Sequence, residues 1–202
     1  MNARPMFPLG LVLFPYVGLP LQVFEPRYRQ LTRDVLEGDR EFGVVLIERG
    51  WEVGGGDERF DVGTMATIVD AGFDDRGLIR LATVGGRRFR VHEWLPDDPY
   101  PRAVVEDLPP PEAADAAELA VVEPRVRQAL AMRAELGEAS IPPDIRLDDE
   151  PTRAMFQLAA IAPLGPVDKQ SLLAASCATM LSRLGQMIDE ELVVLASRLA
   201  GN

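Results

Sequence analysis

Met6-Phe7-Pro8-Leu9-Gly10-Leu11-Val12-Leu13-Phe14-Pro15-Tyr16-Val17-Gly18-Leu19-Pro20-Leu21-Gln22-Val23-Phe24-Glu25-Pro26-Arg27-Tyr28-Arg29 carries more fold information than any other stretch of the chain. Two short apolar runs flank a loop punctuated by proline and glycine. Pro8, Pro15 and Pro20 lack an N–H and fix φ, so neither run reads as a continuous helix or as a central strand. Gly10 and Gly18 supply turn conformations at little steric cost. Pro26 suits the first position of a helix, with Glu25 just before it at the positive helix end. That helix is expected from Pro26 to Glu37, stopping at Gly38, with Tyr28, Leu31 and Val35 on one side.

Working outward, Phe42 to Ile47 reads as a buried strand and Val62 to Asp70 as another. Asp74-Asp75-Arg76-Gly77 has turn chemistry and leads into Leu78 to Val84 as a hairpin partner. Phe89 and Val91 alternate with Arg88, Arg90 and His92, which predicts one apolar and one polar face. Ala103 to Leu108 is a further short strand. Pro109-Pro110-Pro111 then breaks the pattern, and composition shifts to Ala, Leu and Glu, so a boundary is expected there, with residues 1–108 strand-rich and 109–202 helical. Leu119, Val122, Val126 and Leu130 recur at helical spacing, with Pro124 expected to kink or restart the helix. Pro151 opens a helix to about Ile161, Asp168 to Leu173 begins another, and Met180 to Leu199 form the apolar stripe of a last helix.

The opening block resembles the start of the Lon protease substrate-binding (N-terminal) domain family, whose pattern runs close to F-P-L-G-x-V-L-F-P-x-x-x-L-P-L-x-I-F-E-P-R-Y. Val12 to Phe14 and Phe24 to Tyr28 match as they stand. Val62-Gly63-Thr64-Met65-Ala66-Thr67-Ile68, Gly77-Leu78-Ile79 and Val84-Gly85-Gly86-Arg87-Arg88-Phe89-Arg90-Val91 are similar to the family's later strands. The resemblance spans positions 6 to 199, most sharply up to about 95. It implies an α+β fold: a strand-rich β-barrel or sheet of the PUA-like type with one helix, followed by a C-terminal helical bundle.

Composition bounds the chemistry. The 202 residues are 47% hydrophobic and 26% charged, ordinary for a globular protein. Net charge is −11, which disfavours non-specific binding to nucleic acid or anionic lipid. No apolar run approaches the roughly 20 residues that span a bilayer, and the N-terminus lacks the basic stretch and unbroken apolar core of a signal peptide. One cysteine, Cys177, excludes an internal disulfide and fits a reducing cytoplasm.

Catalytic constellations are thin. His92 stands alone among arginines, and Cys177 lies in an apolar context that keeps thiols inert. Lys169 and Ser171 are two apart on a helix and point in different directions, so they form no Ser–Lys dyad. Val53-Gly54-Gly55-Gly56-Asp57 lacks the Gly-Lys-Ser/Thr of a phosphate loop and reads as a flexible hairpin loop. One His and one Cys exclude the usual zinc sites, and the Asp pairs at 74–75, 97–98 and 148–149 lack calcium-loop spacing. No catalytic, metal or cofactor residues are expected. Arg87, Arg88 and Arg90 form the densest basic patch, the footing for an RNA-binding alternative.

The feature that remains is the loop. Phe14, Tyr16, Val17 and Leu19 place large apolar groups on a constrained segment, a candidate surface for polypeptide capture. Glu25, Arg27 and Tyr28 are read as fixing the strand-to-helix junction. The expectation is a stand-alone substrate-binding domain, without the ATPase and peptidase of full-length Lon, that binds unfolded or partly folded polypeptides. The alternative is an adaptor docking on an ATP-dependent protease.

Overall fold

The structure is a computed structural model that describes residues 2–49, 58–74, 78–139 and 141–201. The chain divides into two compact units, Met1–Pro110 and Pro111–Asn202.

In the first unit, the described residues form strands β1 (Asn2–Leu9), β2 (Gly18–Val23), β3 (Glu41–Arg49), β4 (Glu58–Phe73), β5 (Ile79–Leu95) and β6 (Arg102–Asp107), with one helix, α1 (Pro26–Glu37). The strand order is β2-β5-β4-β3-β1-β6, and β6 also pairs with β5, so five strands close on one another. β5 makes this possible by its length. Its first half pairs with β2 (Val23↔Ile79 to Gly18↔Val84) and its second half with β6 (Phe89↔Asp107 to Leu95↔Arg102). Irregularities between Thr64 and Ala66 and between Ile68 and Asp70 bend the β4–β5 pair, as bulges do where a sheet must curl. The sequence reading ended one strand at Val84 and opened another at Phe89; the pairing shows one continuous strand.

β1 also departs from expectation. It lies between β3 and β6, despite Pro5 and Pro8. Residues 2–5 pair only with β6 and residues 6–9 only with β3. Each proline therefore has a strand neighbour on one side alone, where a missing N–H is tolerated.

Alternation along the strands sorts the core into two sets. Met6, Val45, Met65, Phe89, Val91, Ala103 and Val105 form one cluster, drawn from all five closing strands. Gly43 and Gly63 belong to it by necessity: a Cβ on Gly63 would lie 2.3 Å from the Val44 carbonyl and 2.6 Å from the Phe89 ring. The other cluster includes Phe7, Leu19, Val23, Phe42, Ile68 and Leu81 and receives Tyr28, Leu31 and Val35 from α1. Tyr28 stacks on Phe7 with ring centroids 4.0 Å apart, and the Arg27 guanidinium lies 4.4 Å from the Tyr28 centroid. Such contacts add about 1 kcal/mol each beyond the burial itself.

The second unit is helical: α2 (Ala116–Glu135), α3 (Pro151–Ile161), α4 (Pro166–Ala174) and α5 (Cys177–Ala200). α2 runs through Pro124 as one helix, so of the expected kink or restart the restart does not occur. Ala120, whose carbonyl loses its helical donor, and Pro124 are both exposed, so water can serve that carbonyl. Asp115 caps α2 by accepting from the Ala117 and Glu118 N–H groups, and Glu150 caps α3 through Thr152 and Arg153, both at 2.9 Å. Pro166 opens α4 two residues before the expected start. Met180, Leu181, Leu184, Ile188 and Leu195 bury the stripe of α5. Among the described residues, no helix is long and apolar enough to cross a membrane.

Candidate functional site

The loop between β1 and β2 is held by residues far away in sequence. The Thr64 hydroxyl, fully buried, donates to the Leu13 carbonyl at 2.6 Å. The Thr83 hydroxyl, also buried, donates to the Leu19 carbonyl at 2.7 Å. Between those two pins, the Tyr16 N–H donates to the Gly85 carbonyl at 2.7 Å and the Gly85 N–H donates to the Val17 carbonyl at 2.9 Å. Gly85 must be glycine for this approach, since a Cβ there would lie 2.2 Å from the Phe14 carbonyl oxygen. The loop is thus fixed at both ends and in the middle by β4 and β5.

These bonds set what each side chain can do. Phe14 is 0% exposed and Leu19 9% exposed. Both are core residues, so neither supplies contact surface; this corrects the sequence reading of them. Phe14 is buried where its backbone passes closely over Gly85, and β2 alternation turns Leu19 to the same face as Val23. Val17 is half-buried and packs on the same core. Tyr16 differs. It is 39% exposed and has φ of 63°, a left-handed conformation that an L-residue holds only where its surroundings impose it. Nothing local to residue 16 signals that φ, because a tyrosine has no preference for it.

Pairing brings further residues to Tyr16. Gly18↔Val84 and Pro20↔Ala82 are cross-strand partners, and all four are exposed. Paired residues share a sheet face, so Val84, Pro20 and Ala82 continue an apolar strip from the loop along β2. β2 has β5 as its only strand partner among the described residues. With Val17 bonded to Gly85, alternation turns the backbone groups of residues 18, 20 and 22 toward the open edge. Pro20 occupies one of those positions and removes an outward donor, a device that discourages strand addition. Val23 pairs with Ile79, which pairs with Phe73. Phe24 and Phe73, 61% and 63% exposed, therefore lie at the far end of β2 and β4. Val84 and Phe73 were missed from sequence because their exposure depends on register.

Glu25 and Arg27 form an ion pair at 3.1 Å, the Glu25 carbonyl accepts from the Arg29 N–H, and Tyr28 is buried. All three sit at the entry of α1.

The basic patch does not assemble. Arg87 bridges Glu41 at 2.8 Å and Asp107 at 2.9 Å, Arg88 is buried, and only Arg90 is exposed, paired in register with Glu106. Burial of Arg88 departs from the polar face expected for this strand. His92 lies 3.1 Å from Glu106. Cys177 is buried. The Lys169 ammonium donates to the Ala160 carbonyl at 2.6 Å and the Ser171 hydroxyl to the Asp168 carbonyl within α4, so the two engage different partners. Burial, with Arg133 adding repulsion, lowers the Lys169 pKa. No group of three or more His, Cys, Asp or Glu could hold a metal among the described residues. The glycine loop at 54–56 lies outside the described residues.

The comparisons agree with this architecture. Residues 3–190 match the model of the ATP-dependent protease La (LON) substrate-binding domain. The crystal structure of a Lon N-terminal domain protein from Xanthomonas campestris superposes with a TM-score of 0.65 at 26% identity, covering 94% of this chain and 98% of that one. The N-terminal domain of a Mycobacterium avium complex Lon protease shares the fold with a TM-score of 0.62 at 17% identity, covering 94% and 97%. A Lon protease from Cytophaga hutchinsonii is 34% identical over 109 residues, which is 53% of this chain and 13% of that protein. Lon protease 1 of Herpetosiphon aurantiacus is 23% identical over 203 residues, 93% of this chain and 24% of that protein. The chain thus matches under a quarter of those two proteases, and it belongs to the LON substrate-binding domain family.

Proposed function

We propose that this chain binds polypeptides without cleaving them, capturing exposed apolar segments on the surface built around Tyr16. The observation that carries the reading is a partly exposed aromatic residue in a left-handed backbone conformation, on a loop clamped by Thr64, Thr83 and Gly85. Such a residue loses little freedom on binding, because the loop is already ordered. Val84, Pro20 and Ala82 extend the contact along the sheet. Val17 contributes through its exposed part.

Family membership supports a substrate-recognition role, and the Lon relatives support a setting in proteolysis, with an ATP-dependent protease as partner. The reducing chemistry implied by a lone buried cysteine supports a cytoplasmic location. The two carboxylates on Arg87 and the burial of Arg88 argue against the RNA alternative. Binding would be modest, since one shallow patch falls short of the roughly 1,000 Å² of a robust interface.

The test replaces Tyr16 and Val84 together by Asp and measures binding of a permanently unfolded, carboxymethylated protein. Both residues are exposed, and Asp tolerates the left-handed conformation at position 16. Binding should fall at least tenfold while the melting temperature stays close to wild type. Undiminished binding would remove this surface from the reading.

A further inference from the structure

The helical unit holds a second concave surface that the loop reading does not use. An open cleft of about 850 Å³ lies between the first half of α2, the 143–149 loop and the start of α3. Its floor is built from small apolar residues: Ala116, Leu119 and Ala120 recur on one face of α2, and Ala154 faces them from α3. Alanines there leave space that larger side chains would fill.

The opposite wall is pre-ordered. Arg127 turns its guanidinium into the wall, donating to the carbonyls of Pro143 and Ile145 while Nε holds Glu123 at 2.8 Å. Gln157 accepts from the Asp148 N–H at 2.8 Å. These bonds tie down three backbone groups of the wall, and the cleft offers a ligand side-chain surface and charge. Four carboxylates line it (Glu123, Asp144, Asp148 and Asp149) against two guanidinium groups, Arg127 and Arg146. Arg127 is spent on the wall and on Glu123, Arg146 pairs with Asp149 at 3.2 Å, and Arg153 of α3 lies 3.7 Å from Asp148, so three of the four carboxylates already have an arginine partner. Asp144 has no cation partner among the described residues.

We infer that this cleft is a second polypeptide subsite, selective for a short apolar segment flanked by arginine or lysine. The apolar side chains of such a segment fill the alanine floor, and its cation meets Asp144. An open cleft with an apolar floor suits side chains of a chain passing through, and Asp144, the one lining carboxylate without an arginine partner among the described residues, selects the sign of its charge. The inference deepens the polypeptide-binding reading but stands on separate residues.

The probe is a fluorescein-labelled eight-residue peptide with two leucines flanked by arginines, beside the same peptide with glutamates in the arginine positions. Anisotropy titrations use the full chain, wild type and three variants: Ala120→Trp, Asp144→Asn, and Tyr16→Asp with Val84→Asp. The arginine peptide should bind roughly tenfold more tightly than the glutamate peptide, with the gap narrowing at high salt. Ala120 is exposed and tryptophan is tolerated in helices, so Ala120→Trp should fold normally and weaken binding about tenfold. Asp144→Asn should weaken it about threefold, and the loop variant should leave it unchanged. Equal binding of the two peptides, or full binding by Ala120→Trp, would overturn the inference. Loss in the loop variant alone would assign the peptide to the first site and also overturn it. If Ala120→Trp fails to fold, amide shifts of labelled wild type decide: shifts at Leu119, Ala120 and Asp144 support the cleft, and shifts elsewhere refute it.

Discussion

Replacing Gly85 by alanine tests the clamp that shapes the loop. The new Cβ would lie 2.2 Å from the Phe14 carbonyl oxygen, 3.0 Å from its carbonyl carbon and 3.2 Å from Leu13 Cγ. Relief requires the Phe14 backbone to retreat by roughly 1 Å, and Phe14 is wholly buried, so the retreat opens the core. Overpacking of this kind costs about 1–3 kcal/mol. The Tyr16–Gly85 and Gly85–Val17 hydrogen bonds lengthen in the same movement, at about 0.5–1.5 kcal/mol each. A total near 3 kcal/mol is expected, or a drop of roughly 1–2 M in the urea midpoint for a domain of this size. Gly72→Ala is the control, because nothing lies within 4 Å of its Cβ position; it should be neutral or stabilising by up to about 1 kcal/mol. Urea unfolding followed by circular dichroism and tryptophan fluorescence reads both. A Gly85→Ala protein within about 0.5 kcal/mol of wild type would refute the reasoning, since the loop would then not be clamped against β5.

Three further outcomes follow from the packing and the charges. Gly63→Ala drives a Cβ to 2.3 Å from the Val44 carbonyl and 2.6 Å from Phe89, and should cost about 3 kcal/mol or more, or abolish soluble expression. The Lys169 pKa is lowered by burial and by Arg133. The unfolded chain therefore holds the proton more tightly, and the penalty is full below the folded pKa and relieved as pH rises toward 10.5. Wild type should accordingly gain stability relative to Lys169→Met over that alkaline window, measured by melting temperature against pH. Glu150 has its pKa lowered chiefly by the Thr152 and Arg153 N–H groups. Its contribution is present above the unfolded value near 4.5 and is lost as pH falls through the folded pKa; Glu150→Ala should lower the melting temperature by a few degrees at neutral pH and lose that difference in acid.

Local chemistry made much of the fold legible. Pro26 and Gly38 bracket α1 as expected, and Pro151 opens α3 at the expected residue. Such signals act through the residue itself, by a fixed φ or a missing donor. Closure of the sheet was not legible, because it depends on β5 exchanging partners along its length, and no local residue encodes that. The candidate surface was legible only in part. Apolar content picked out residues 14 to 19, but which of them point outward is decided by Thr64, Thr83 and Gly85. Gly63-Thr64 and Val84-Gly85 stood out in the sequence as motif residues; their roles as close-approach and carbonyl-pinning positions emerged only with the tertiary contacts. Pro124 shows the reverse: a strong local breaker overridden because the lost bond faces water.

Site-specific photo-crosslinking tests the central claim most directly. A benzophenone amino acid placed singly at Tyr16, at Val84 and at the exposed Val167 of the helical unit would be illuminated with a carboxymethylated, unfolded client. The account expects strong client adducts from positions 16 and 84 and little from 167. Adducts absent at 16, or equal at all three positions, would contradict it.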